Sequence, residues 1–139
     1  MKKESLVITE EFLSDCLSKY PNTGKNSHVG HLGILMAQEF FKRKYPGCEF
    51  KVNISGIDLQ VILVNGEEKA FEVKSTTDPG IAWSKFKVSS MRSHDALING
   101  MPLMRITKIG KTEMDIYFLT HGDDFDLIPE PRFSIKSRN

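Results

Sequence analysis

Cysteine is scarce in this chain: two residues in 139, Cys16 and Cys48. They are too few and too far apart for a metal cluster or a disulfide framework, so a reducing, cytoplasmic setting is the expectation. No apolar run approaches the roughly 18 residues that a membrane helix needs, and the opening MKKESLVITEEF lacks the apolar core of a signal peptide. A membrane partner is therefore not expected. Net charge is also small, +1 over 19 basic and 18 acidic residues, so the total gives no argument for a polyanionic partner. Internal repeats, low-complexity tracts and linkers are missing too. DDFD (123–126) has neither the length nor the glycine of a calcium loop. His28 and His31 have no third ligand nearby, which favours capping or surface roles over a metal pair.

What is present fits one domain over 1–139, with an N-terminal helix and loop over 1–27 and a turn-rich tail over 121–139. Thr9 is placed to cap a first helix whose apolar stripe is Phe12, Leu13, Cys16, Leu17 and Tyr20, closed by Pro21. PNTGKNS reads as a loop. A second helix is expected from about 27 to 45, ending at Pro46-Gly47, with Gly30 and Gly33 marking either close packing or a close approach to a ligand.

The period then changes from helical to alternating. Cys48, Phe50, Val52 and Ile54 predict a strand, broken at Ser55-Gly56; IDLQVILV predicts a second, buried on both faces. KAFEVKS returns antiparallel after a turn. IAWSKFKVS suggests a short strand, MRSHDALING a short helix capped by Ser89 or Ser90, and PLMRITKI with TEMDIYFLT a hairpin. These elements predict an α/β domain with a mixed central β-sheet flanked by helices.

Charge is unevenly spread. Residues 74–111 carry seven Lys or Arg against two Asp, whereas 112–130 carry six acids and no Lys or Arg. A basic block that follows KAFEVKS suits a phosphate backbone, although such blocks are often only solvated faces.

Asp58 heads an apolar strand, a costly position for a carboxylate unless it meets solvent, a partner or a cation. On the returning strand, alternation puts Glu72 and Lys74 on one face and Phe71 and Val73 on the other. Asp58 joins that face only if the connection has an odd number of residues or the hairpin carries a bulge. Three, at Asn65-Gly66-Glu67, would set Asp58 opposite Lys74. Two carboxylates converging at a strand offer hard oxygen ligands to Mg²⁺, and a neighbouring lysine suits the orientation of a water and the stabilisation of negative charge on phosphorus.

GIDLQVILVNGEEKAFEVKS resembles the core of the PD-(D/E)xK nuclease superfamily, whose members include restriction endonucleases and Holliday junction resolvases. Asp58, Glu72 and Lys74 match its catalytic pattern; the proline that precedes the aspartate is replaced by Ile57. The resemblance covers roughly residues 28–76. It implies a restriction endonuclease-like fold and a metal-dependent DNA endonuclease. Asp58, Glu72 and the Val73 carbonyl would ligate Mg²⁺, with Mn²⁺ able to substitute and Glu39 as an accessory acid. DNA is then the partner, with Lys85, Lys87, Arg92 and Ser75 as candidate contacts, although Ser75 equally suits a strand end and Trp83 suits a core or a base-stacking position. A domain this small would cut both strands of a duplex as a homodimer. A structure-selective resolvase and a non-catalytic binding module on the same fold are the alternatives.

Overall fold

In a computed structural model, residues 1–20, 26–131, 133 and 135–138 are described. The expected loop over 21–27 therefore lies mostly outside the described residues. Six strands form one mixed sheet in the order β1-β6-β5-β4-β3-β2. They are β1 (Lys2–Val7), β2 (Glu49–Ile54), β3 (Ile57–Ile62), β4 (Glu68–Ser75), β5 (Leu103–Ile106) and β6 (Glu113–Leu119). Three α-helices accompany them among the described residues: α1 (Glu10–Lys19), α2 (Asn26–Lys44) and α3 (Met91–Ile98). None of these is long and apolar enough to cross a membrane.

Local rules fix most boundaries. The Thr9 hydroxyl accepts from the Phe12 N–H at 3.0 Å, and Glu10 and Glu11 complement the positive end of α1. Helix α2 ends on Lys42, Arg43 and Lys44, which suit its negative end. The Ser90 hydroxyl caps α3 through the Ser93 N–H. Between β2 and β3, Ser55 and Gly56 both take positive φ, the geometry of a two-residue hairpin turn.

Two layers pack against the sheet. One side carries α1 and α2 over a continuous apolar core that includes Leu59, Val61, Phe71, Val73, Met104, Ile106, Met114 and Ile116. Phe41 of α2 lies 4.8 Å from Phe71, ring centre to ring centre. A Cβ on Gly33 would come within 2.4 Å of Ser75 Oγ, so this glycine lets α2 seat on β4, while nothing packs against Gly30. The other side carries α3 over a smaller cluster of Leu97, Leu103 and Leu119, to which Phe86, Phe125 and Leu127 add. Residues 125 and 127 of the tail thus lie on this face.

Three expectations need correction. Burial in β3 alternates, with Leu59 and Val61 buried in the core beneath α2 and Gln60 and Ile62, on the other face, only partly so. IAWSKFKVS forms no strand; a 3-10 turn spans Trp83–Lys85 instead, entered through Ala82 at φ 56°. Strand β1 has no counterpart in the expected elements. It pairs with β6, more than a hundred residues away, and inserts only Leu6 into the core, a weak local signal.

Candidate functional site

The β3–β4 hairpin sets the geometry. Ile62 pairs with Glu68, and the Leu63 N–H donates to the Glu67 carbonyl, leaving Val64, Asn65 and Gly66 as the loop. Its length is odd, as expected, but it begins one residue earlier. Gly66, at φ 91°, takes the left-handed last position that a three-residue hairpin loop needs. The register therefore slides by two and keeps its parity: the ladder ends at Leu59 with Phe71, and its continuation brings Asp58 level with Glu72 rather than Lys74.

Strand β4 changes partner at this point. Residues 68–71 pair with β3, whereas Glu72–Ser75 pair in parallel with β5. Where β3 stops pairing, the Asp58 carboxylate takes over: Oδ2 accepts from the Val73 N–H at 2.8 Å. By the alternation of a strand, the Val73 carbonyl points to the same gap between β3 and β4.

Asp58 and Glu72 share the face that carries α3, and the Asp58 carboxyl is near enough to raise the pKa of Glu72. Glu72 is only 2% exposed, and its Oε2 is buried with no hydrogen-bond partner among the described residues. Lys74 Nζ lies 3.7 Å from Glu72 Oε1, with 30% of the lysine side chain exposed. Ser93 of α3, itself buried, lowers the pKa of the Glu72 carboxyl slightly. Burial, and next the Asp58 carboxyl, push Glu72 up to about 7, with Lys74 and Ser93 pulling the other way. Two acceptor-only groups face each other here, and a shared proton or a cation resolves the repulsion.

Gly56 locks this arrangement. At φ 84°, and with a Cβ added there falling 2.7 Å from the Arg92 Cβ, it lets the β2–β3 turn dock on α3 and so fixes the start of β3.

The remaining candidates separate. Glu39 sits on α2, across the sheet from Glu72, and pairs with Arg43 at 3.5 Å. Ser75 faces α2 and donates to the Val29 carbonyl at 2.8 Å, away from Lys74. Lys85 pairs with Asp78 at 3.0 Å, and Lys87 pairs with Glu130. Arg92 is exposed beside Gly56. Two neighbours went unread in the sequence. Ser93 gave no signal, being one polar residue in a short helix. Arg105 did leave one, a charge at an inward position of PLMRITKI. It is the register partner of Lys74 on β5, 3% exposed, with Nε donating to the Ile81 carbonyl at 2.8 Å. Burial lowers the pKa of its guanidinium, and Asp78 only partly offsets this.

No group of three or more His, Cys, Asp or Glu side chains able to hold a metal occurs among the described residues. The side-chain set here is a pair. That pair fits Mg²⁺, which commonly takes one or two carboxylates and fills its other positions with water and phosphate. The orphaned Glu72 Oε2 beside Asp58, with the Val73 carbonyl aimed at the same gap, is an all-oxygen set of the right character. A separate cavity of about 620 Å³, lined by Phe41, Lys44, Tyr45 and Lys69 among others, contains none of these residues.

Comparison with known protein families, with curated proteins and with solved structures finds no match.

Proposed function

We propose that the chain is a metal-dependent DNA endonuclease of the PD-(D/E)xK type, on a restriction endonuclease-like fold. One observation carries this reading: two carboxylates face each other across the opened β3–β4 edge, one oxygen has no partner among the described residues, and a lysine stands beside it. A structural hairpin has no reason to bury Glu72 beside Asp58, since an unpartnered buried carboxylate is costly. A site that exchanges a proton for a divalent cation does.

Asp58, Glu72 and the Val73 carbonyl would hold Mg²⁺, with Mn²⁺ as a substitute. The bound ion supplies neutralisation of the phosphate and a more acidic water. Lys74 projects from the same face toward solvent, where its ammonium orients the attacking water and stabilises charge building on the phosphate oxygens. Hydrolysis breaks one P–O ester bond and leaves a phosphate monoester and a free hydroxyl. Glu39 has no part in this scheme, because it lies across the sheet.

Nicking of supercoiled plasmid with and without Mg²⁺ tests the assignment. Lys74→Ala and Asp58→Ala are each expected to lower the rate by about a hundredfold to a thousandfold. Activity that survives EDTA, or that is unchanged in both variants, removes it.

A further inference from the structure

Trp83, the sole tryptophan of the chain, is left 49% exposed. Half-exposed tryptophan forgoes much of the gain that burial of so large a ring brings. The ring is nonetheless held firmly. It follows Ala82, a non-glycine residue at φ 56°, in a turn where the Lys85 N–H bonds the Ala82 carbonyl. A left-handed alanine stores strain, a feature that collects at functional positions.

The turn is also pinned from below. Trp83 lies 5.7 Å from Phe86, centre to centre, and the Arg105 guanidinium carbon lies 4.2 Å from the Phe86 ring. Arg105 in turn holds the Ile81 carbonyl and stands beside Lys74 in the β4–β5 register. An unbroken series of contacts thus runs from the exposed indole to the strand position next to Lys74. Along it sit two cations on adjacent strands, each with a carboxylate near it, Glu72 for Lys74 and Asp78 for Arg105. Lys85 is bound to Asp78 through a surface pair that a phosphate can displace.

Building on the nuclease reading above, we infer that Trp83 is a stacking platform for an unpaired base, and that the substrate is DNA with single-stranded character at the cut. Stacking on an aromatic ring is sequence-tolerant, so this surface selects strand state rather than sequence.

Tryptophan emission reads the contact directly, because no other tryptophan contributes. The wild-type chain is titrated with oligo-dT and with a blunt hairpin duplex, in EDTA so that nothing is cut. Oligo-dT is expected to quench Trp83, and the duplex to bind more weakly with little quenching. Anisotropy of labelled oligo-dT then compares Trp83→Ala, expected to bind about tenfold more weakly, with Trp83→Phe, expected to keep most of the affinity. Equal quenching by both ligands, or wild-type affinity in Trp83→Ala, overturns the inference. Quenching by oligo-dT with no Mg²⁺-dependent nicking would keep the platform and remove the nuclease reading. Nicking by a chain whose Trp83 is silent to oligo-dT would do the reverse.

Discussion

On the side of the sheet covered by α1 and α2, the inward positions of β3 to β6 are apolar almost throughout: Leu59, Val61, Phe71, Val73, Met104, Ile106, Met114 and Ile116. On the side covered by α3, the equivalent positions include Asp58, Glu72, Lys74 and Arg105. The strands are shared, so backbone pairing cannot account for the contrast. It lies in what each face was given to bury. The first face lowers the free energy of the fold; the second holds groups that cost stability and carry chemistry.

The largest expected effect belongs to the apolar face. Phe41→Ala removes a fully buried ring packed on Phe71 and should cost about 4 kcal/mol in urea unfolding. A loss below about 1 kcal/mol would mean that this face does not carry the fold.

Next comes the opposite sign on the charged face. Glu72 titrates near 7 in the folded chain, above its ordinary value of 4.5. The folded state therefore keeps a proton that the unfolded state releases first. Stability is full below about pH 4.5, falls as pH rises toward 7, and stays lower above it, by roughly 3 kcal/mol from this group. Glu72→Gln should flatten that slope and make the chain more stable than wild type at pH 8. Parallel pH profiles would contradict the description of the site as a strained pair. A smaller effect tests the seating of α2: Gly33→Ala forces a Cβ against Ser75 and should cost about 1–3 kcal/mol.

Much of this was legible from sequence, for reasons that differ by element. Helix α1 could be read because Thr9, the acidic first turn and the apolar stripe agree. The facing of Asp58 and Glu72 could be read as a parity, since strand alternation has a period of two. The register could not, because it turns on which residue takes the left-handed loop position, and Gly66 settles that only once the backbone is known. Glu39 was indistinguishable in sequence from a site acid; which way a helix presents a side chain depends on how the helix docks. Gly33 and Gly30 looked alike, yet only Gly33 meets another strand. Ser93 and Trp83 acquire meaning only through neighbours distant in sequence, Glu72 and Arg105.

Thermal melting at pH 8 with rising Mg²⁺, for wild type and Glu72→Gln side by side, tests most directly whether Asp58 and Glu72 share a cation. The wild-type Tm should rise by about 5 °C at ten times the dissociation constant, with little or no rise in the variant. No rise in wild type, or an equal rise in both, would contradict a metal site between these two carboxylates.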